Sequence, residues 1–202
     1  DIEKKTESLP AGWEYKVAAE CSVSFPVPPR SNPYIDSTDG SFWQFSRGGV
    51  YPNMLSKLNA WNSDSYKRAT MMFSPEDAEG SGYIPSAVSV TCLPNVTKLD
   101  NDALLENLND GIARYNADDG EKGLQAENYS IVSSIKILRW GQEVVDLTVK
   151  EGSSESTSDN LYSYTIFATS DYLYEVRIFQ ETEDSFVRDT AQKIFNHLVF
   201  QE

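Results

Sequence analysis

The chain has 202 residues, of which 40% are apolar and 12% aromatic, enough for one domain with a substantial core. Its 31 acidic residues against 17 Lys and Arg give a formal net charge of −14, and a field of that sign repels nucleic acid and anionic lipid. No stretch approaches the roughly 18 consecutive apolar residues of a transmembrane helix. We therefore expect a soluble, acidic monomer without a nucleic-acid partner or a membrane span.

Residues 1–10 are polar and charged apart from Ile2 and Leu9. We interpret them as a tether, or as the trimmed start of an exported chain, that stays outside the fold. Such a leader is the place where the protein would be attached to a membrane, as in a lipoprotein. Residues 11–202 are expected to form the single domain.

The two cysteines, Cys21 and Cys92, each lie in a strand-like run. Their even count favours a disulfide, which would close a loop of about 70 residues and contribute roughly 4 kcal/mol. The alternative is a pair of buried free thiols in adjacent core strands. A disulfide would indicate an oxidising compartment, so we expect a secreted, periplasmic or cell-surface protein. The chain has no CxxC spacing, which excludes a zinc ribbon or a thioredoxin-like site.

The first half of the chain predicts strands separated by a long irregular segment. Residues 12–27 indicate one strand, or a bent pair, ended by Pro26 and the prolines that follow it. Residues 30–58 carry many turn signals and neither a helical nor a strand period. Strands follow over residues 66–73 and 86–93, which we expect to form a hairpin with a long loop.

The second half predicts a helix, a meander and a final helix. Asp100 is placed as the N-cap of a helix whose apolar stripe is Leu104, Leu105, Leu108, Ile112 and Tyr115. Four strands follow, two of them joined by a tight turn around Gly141. A closing helix, capped by Thr182, carries Val187, Ala191, Ile194 and Leu198 at helical spacing. Runs of strands with segregated helices indicate an α+β fold rather than a parallel α/β sheet.

Three stretches together resemble the PsbP-like family, whose fold is shared by the Ran-binding nuclear import factor of yeast. They are WEYKVAAECSVSFPVP near the start, ILRWGQEVVDLTV in the middle and YLYEVRIFQETEDSFVRDTAQKIFNHLVF at the end. The resemblance covers residues 12–200 and implies an αβα sandwich with a central antiparallel sheet. It also implies a binding or assembly role, because members are mostly non-enzymatic accessory proteins. The segment over residues 30–60 is long for the family, and no functional residue is carried over.

The segment over residues 30–61 is unusually rich in aromatic side chains for a loop, and it contains Arg in an otherwise acidic chain. Aromatic residues and Arg are enriched at binding hot spots. The candidate partner-binding residues are Tyr34, Trp43, Arg47, Tyr51 and Trp61. The alternative is that these rings fold back and cap an open end of the sheet.

Motifs for catalysis or cofactor binding are absent from the sequence. The single histidine, His197, is predicted to interact with the negative end of the last helix. Three acidic clusters could in principle bind Ca²⁺ but lack EF-hand spacing, and solvated loops are the preferred interpretation. The clusters are Asp36 with Asp39, Glu76 with Asp77 and Glu79, and Asp118 with Asp119 and Glu121. Sequons begin at Asn95 and Asn128. We expect no metal and no cofactor.

Two classes of function remain open from the sequence. The first is a non-enzymatic extracytoplasmic binding or scaffold module that recognises a protein or an envelope polymer through the segment over residues 30–61. The second is a carboxylate-dependent hydrolase or glycan-active protein with an aromatic-lined cleft. A pocket holding Trp43 or Trp61 beside two carboxylates would favour the enzyme, and a convex aromatic patch would favour the binding module.

Overall fold

The computed structural model describes residues 9–28, 44–46, 67–73, 86–117, 127–153, 160–179 and 185–201. Within these ranges the strands are β1 (Glu14–Ala18), β2 (Val23–Val27), β3 (Gln44–Ser46), β4 (Lys67–Phe73), β5 (Ser86–Pro94), β6 (Glu127–Arg139), β7 (Gln142–Ser153), β8 (Asn160–Ala168), β9 (Tyr172–Phe179) and β10 (Val199–Phe200). The α-helices described are α1 (Asn101–Ala117) and α2 (Ser185–Asn196).

The strands form two sheets, with the hydrogen-bonded orders β1-β2-β10 and β3-β4-β5-β9-β8-β7-β6. The pairings whose registers are described are all antiparallel. The predicted four-strand meander is confirmed as β6 to β9, and β4 and β5 are neighbours as expected of a hairpin. The fold is therefore α+β with a central antiparallel sheet, as predicted.

The chain divides into two compact units, each of which has its own buried side chains. The first contains residues 1–49, 67–90 and 178–202, and the second contains residues 50–66 and 91–177. The prediction of a single domain over residues 11–202 stays a prediction. The polar leader and most of the long segment over residues 30–61 lie outside the described residues.

In the second unit, α1 packs its apolar stripe on the meander. Its N-terminus begins as predicted, because the side chain of Asp100 accepts a hydrogen bond from the N–H of Ala103 at 2.9 Å. Leu104, Leu108 and Ile112 are buried in one cluster with residues of β6, β7 and β8. The cluster is Leu104, Leu108, Ile112, Tyr129, Val145, Leu147, Val149, Tyr164, Ile166 and Leu173.

In the first unit, α2 packs against β2 and its end leads into a strand that the sequence did not predict. Ala191 and Ile194 are fully buried, as expected from their spacing. Leu198 is also buried, but it lies beyond the helix, which ends at Asn196. The chain then forms β10 against β2, with Phe200 opposite Val23. Thr182 and the side chain of Val187 lie outside the described residues.

The first strand region is the bent pair, with a 3-10 turn over Ala19–Cys21 between β1 and β2. Ser22 has φ of 47°, a left-handed backbone that ends this turn. The strand region ends at Val27, directly before Pro28, as predicted, although Pro26 itself lies within β2 opposite Tyr15. The pairs described between β10 and β2 involve only residues 23 and 24 of β2, so Pro26 occupies an edge-like position where the absence of an N–H is tolerated.

Two further predictions can be compared directly with the structure. Residues 44–46, expected to be irregular, form β3 and pair with β4, with Phe45 opposite Met71. Cys21 and Cys92 form a disulfide, as predicted, and both residues are fully buried. The alternative of two free thiols is therefore wrong.

Candidate functional site

The candidate residues chosen from the sequence, Tyr34, Trp43, Arg47, Tyr51 and Trp61, lie outside the described residues, and so do the three acidic loop clusters. Their roles stay predictions. The described part of the chain contains no group of three or more His, Cys, Asp or Glu side chains that could hold a metal ion. Neither helix described combines the length and the hydrophobicity needed to cross a bilayer.

His197 and the two sequons have defined positions. The Nδ1 atom of His197 donates to the carbonyl of Lys193 at 2.8 Å, which confirms the predicted interaction at the end of α2. Asn95 is only 2% exposed, and its side chain bonds the backbone of Leu99 and Thr169 at 2.7 to 2.9 Å. Asn95 is therefore a structural residue that is closed to glycosylation, whereas Asn128 is exposed at the start of β6.

The most prominent exposed apolar surface among the described residues follows β6. This strand is 13 residues long and is the last in its sheet, with β7 paired along one side. Val132, Ile135 and Leu138 are 57%, 59% and 67% exposed. No other described strand pairs with the outer side of β6. A strand in the last position of a sheet can act as a template for another strand.

The β6–β7 hairpin ends in a tight turn that the sequence predicted around Gly141. Arg139 is opposite Gln142, and the two residues between them, Trp140 and Gly141, have φ of 52° and 81°. Two positive φ values are typical of a type I′ turn, which matches the twist of the flanking strands. Positive φ in a residue as bulky as Trp is unusual and costs on the order of 1–3 kcal/mol. Neighbouring contacts must therefore hold Trp140 in place.

Arg139 provides the main polar contacts at this end of the hairpin. Its guanidinium donates to both carboxylate oxygens of Asp146, at 3.1 and 2.8 Å, and to the hydroxyl of Thr165 at 3.0 Å. The Thr165 hydroxyl in turn donates to Asp146 at 2.6 Å. A bidentate pair of this kind fixes geometry as well as charge.

Aromatic rings also hold Trp140 and the β6–β7 turn in place. The Arg139 guanidinium lies 5.6 Å from the Trp140 ring, within the range of a cation–π contact. Trp140 lies 5.9 Å from Phe167, which stacks on Tyr174 at 4.6 Å. Phe167 and Tyr174 are fully buried. The turn is thus attached to β8 and β9, so the end of β6 is held by packing that reaches across the meander.

Helix α1 runs alongside β6 in the opposite direction and is attached to it at both ends. At one end, the Asn116 side chain donates to the Tyr129 carbonyl at 2.7 Å and accepts from its N–H at 3.0 Å. At the other end, the Lys136 ammonium contacts the Asp102 carboxylate at 2.6 Å. The hydrogen bond that the Lys136 ammonium donates to Asp102 raises the pKa of Lys136.

An exposed series of carboxylates on α1 begins at Asp102, which contacts Lys136. Asp102, Glu106 and Asp110 are exposed and spaced four residues apart, which places them on one stripe of the helix. Lys136 also lies 3.7 Å from Glu143 of β7, so two carboxylates surround one ammonium. Lys136 is therefore paired with one carboxylate of α1 and one of β7.

On the face that packs under α1, Arg177 lies against two tyrosines. Its guanidinium is 4.9 Å from the ring of Tyr162 and 4.9 Å from that of Tyr164. Burial raises the pKa of Tyr164, and this effect outweighs the Arg177 charge, which acts in the opposite direction. Burial also raises the pKa of Tyr174. Both phenols therefore stay neutral in the folded protein at a pH where an exposed tyrosine ionises.

We expect stability to fall above pH 10 because of these buried phenols. Below pH 10.0, the ordinary pKa of tyrosine, the contribution of Tyr164 to the unfolding free energy is fully present. It is lost as the pH rises further, because the Tyr164 phenol ionises in the unfolded chain and stays neutral in the folded chain. Tyr164→Phe should reduce the loss of unfolding free energy between pH 9 and pH 11 by about 1.4 kcal/mol, measured by urea unfolding. The exposed Tyr15→Phe is the control. Equal losses in wild type and Tyr164→Phe would contradict the prediction.

Comparison with known proteins gives little further information. No protein-family model and no curated protein matches the chain. One solved structure to which it is similar is the solution structure of cyanobacterial PsbP (CyanoP) from Synechocystis sp. PCC 6803. The identity is 11% and the TM-score 0.46, over 95% of this chain and 94% of that chain. That structure is a PsbP, the family that the sequence resembles, and no conclusion about this chain is drawn from the match. Membership, and the link to the yeast factor, stay predictions.

Sequence reasoning identified the strand over residues 133–140 but missed its importance as an edge. The signal was present in part, because Ile135, Ile137 and Leu138 put apolar side chains on both faces of a strand. That pattern is equally typical of a fully buried central strand. Only the strand order, with β6 last, distinguishes the two interpretations.

Proposed function

We propose that the protein is a non-enzymatic extracytoplasmic accessory module that binds a protein partner. The observation that supports this best is the edge of β6, with its exposed Val132, Ile135 and Leu138. A strand edge binds through backbone hydrogen bonds, which only a polypeptide can supply in register. A protein is therefore a better match than an envelope polymer, which remains an outcome of the experiment below.

No described contact favours the alternative hydrolase. One described carboxylate, Asp146, has both oxygens bonded by Arg139, and one also accepts from Thr165. A carboxylate with both oxygens bonded to one arginine is held in position and is poorly available as a nucleophile or base. We assign this group the role of supporting the hairpin that carries the edge.

The extracytoplasmic location is supported by the disulfide between Cys21 and Cys92. Stable disulfides are characteristic of secreted, periplasmic and cell-surface proteins and are rare in reducing compartments. A tether over residues 1–10 is compatible with such a location and stays a proposal from the sequence.

We propose the segment over residues 30–61 as a second binding segment, argued from its composition alone and independent of the β6 edge. Trp43 and Arg47 are the residue types most often found at hot spots. Substituting either by Ala is expected to weaken partner binding by at least 1 kcal/mol, or about fivefold, with little change in melting temperature. A strong loss of stability with unchanged affinity would show instead that the rings cap the sheet.

Site-specific photo-crosslinking in the native host tests the proposed function. A benzophenone amino acid at Ile135 or Leu138 should give discrete adducts of higher mass, because both side chains are exposed on β6. The same probe at Val96, which is 83% exposed but away from the strand, is the matched control.

The fate of the adducts separates the outcomes. Adducts removed by protease and identified by mass spectrometry as one partner would support the proposal. Adducts that resist protease but are digested by glycan hydrolases would overturn the choice of a protein and assign an envelope polymer. Equal adducts from Val96, or none from Ile135 and Leu138, would overturn the proposed surface.

A further inference from the structure

We propose that Asn95 is a glycan acceptor only in the unfolded chain and that a glycan there blocks folding, so the protein is exported by a route without N-linked glycosylation. This inference rests on the extracytoplasmic location proposed above and specifies how the chain reaches it. It depends on the sequon over residues 95–97, on the bonds of the Asn95 side chain, and on the distance along the chain between Asn95 and one of its partners.

The sequon Asn95-Val96-Thr97 has the N-x-[ST] pattern of an acceptor, with a residue other than Pro in the middle. In that reaction the side-chain nitrogen of Asn forms a bond to the anomeric carbon of an oligosaccharide carried on a lipid diphosphate. The bond from that carbon to the diphosphate oxygen breaks and its electron pair stays with the diphosphate, while the amide releases one proton. The modified asparagine therefore keeps a single N–H.

Both amide protons of Asn95 are used in the folded protein. The Nδ2 atom donates to the carbonyl of Leu99 at 2.9 Å and to that of Thr169 at 2.7 Å. An asparagine amide has two N–H donors, so neither is left over. The Oδ1 atom accepts from the N–H of Leu99 at 2.8 Å. A glycan on Nδ2 would replace one of these protons by a sugar carbon that points at a carbonyl oxygen, so the glycosylated side chain cannot make this set of bonds.

The surroundings of Asn95 also leave no room for a sugar. The residue is 2% exposed. Its backbone N–H donates to the Asp171 carbonyl at 2.8 Å, so backbone and side chain together join the β5–α1 connection to the β8–β9 turn. A glycan is bulky and occupies the surface of a protein. Folding with a glycan at Asn95 would require these two connections to separate.

The sequon stays open while the chain is being made. Asn95 and Thr169 are 74 residues apart in sequence. At a synthesis rate of about 5–20 residues per second, that length of chain takes roughly 4–15 s to appear. Until then Thr169 cannot close the site. A pathway that transfers glycans during translocation therefore meets the acceptor before the fold protects it.

The second sequon, over residues 128–130, provides an internal comparison. Asn128 and Ser130 are exposed, and the residue opposite Asn128 on β7 is Gly152, which has no side chain. A glycan at Asn128 is therefore compatible with the folded chain, whereas a glycan at Asn95 is not. The two sequons should behave differently in the same glycosylating compartment.

The disulfide and the buried sequon together narrow the compartment. The bond between Cys21 and Cys92 indicates an oxidising environment. The lumen of the endoplasmic reticulum is oxidising, but chains that enter it are glycosylated at sequons. A bacterial periplasm or cell surface is also oxidising and can be reached without that reaction. Such a compartment is compatible with both observations.

Directing the full chain into the endoplasmic reticulum of yeast, behind a cleavable leader, tests the inference. Secreted and retained protein are compared by endoglycosidase treatment and by mass spectrometry of the peptides that contain Asn95 and Asn128. We expect Asn95 glycans only in the retained fraction. Thr97→Ala removes the acceptor but leaves Asn95 in place, and Thr97 is exposed, so this variant should raise the secreted amount at least fivefold. Ser130→Ala removes the other sequon and should leave secretion unchanged.

A further variant and a melting experiment separate the glycan from the fold. Asn95→Gln also removes the acceptor, but its longer side chain cannot reproduce the bonds to Leu99 and Thr169, so it should restore secretion less than Thr97→Ala does. Circular dichroism melts of the secreted Thr97→Ala protein verify that it is folded. Equal rescue by both variants would show that the Asn95 bonds are dispensable and would overturn the inference.

Other outcomes also decide the question. A glycan at Asn95 on secreted protein that melts cooperatively would overturn the inference, as would an unmodified Asn95 in both fractions. A glycan at Asn95 on protein purified from its natural source would overturn the route. None of these results affects partner binding at β6, which the crosslinks test. Reduced Cys21 and Cys92 in the natural protein would instead remove the extracytoplasmic location on which the route rests.

Discussion

Removing residues 184–202 is expected to abolish cooperative folding. The deletion takes away α2 and β10, and with them the fully or nearly fully buried side chains of Ile194, Phe195 and Leu198. Each such side chain contributes roughly 1.5–3 kcal/mol, so the loss is about 5–9 kcal/mol. That is comparable with the 5–15 kcal/mol typical of a whole domain.

The deletion also exposes the strand that these residues cover. Phe25 of β2 is fully buried, and β2 would lose its pairing with β10 and the bond from Gln201 to the Ser22 carbonyl at 2.8 Å. An edge strand with a newly exposed apolar face promotes aggregation, so the truncated chain should be poorly soluble as well. A cooperative melt near the wild-type temperature would show that α2 is peripheral.

Point variants separate the contribution of packing from that of the deleted backbone. Ile194→Ala is expected to cost about 2–5 kcal/mol, because the site is closely packed and cannot fully collapse. Gln192→Ala lies in the same helix but is exposed, and it should change stability by less than about 0.5 kcal/mol. Chemical denaturation of the two variants side by side makes the comparison, and equal effects would contradict burial as the cause.

Local periodicity in the sequence predicted most of the elements. The helical spacing of Leu104, Leu108 and Ile112 and the capping position of Asp100 correspond to α1, because both depend on residues within a few turns of each other. The alternating pattern of the meander and the turn at Gly141 were likewise local signals. The α+β class followed from the order of these elements.

Features set by distant parts of the chain were not predictable in the same way. Strand β10 has only two residues, and it exists because β2 offers Val23 and Ser24 as partners. The exposure of Ile135 depends on β6 being last in the sheet, which no local pattern specifies. Similarly, nothing in the sequence near Asn95 indicates that its side chain bonds the carbonyl of Thr169. The candidate site is formed by strand order rather than by a motif.

Reduction of the disulfide is expected to cost about 4 kcal/mol of unfolding free energy. The bond between Cys21 and Cys92 closes a loop of about 70 residues, and a crosslink of that span removes much of the entropy of the unfolded chain. Since domains are stable by only 5–15 kcal/mol, the reduced protein should unfold at a much lower urea concentration. Urea unfolding with and without reductant measures the difference, and the denatured, unreduced protein should show no free thiols.

The variant Cys21→Ala with Cys92→Ala separates the crosslink from the packing of the sulfur atoms. Both cysteines are fully buried, so alanine leaves a small cavity in addition to removing the bond. The reduced wild-type protein lacks only the crosslink, and the variant lacks both, so the difference between them measures packing alone. If reduced and oxidised wild type unfold at the same urea concentration, the bond does not stabilise the fold, and the entropy argument fails for this chain. Two free thiols in the unreduced protein would show that the bond itself is absent.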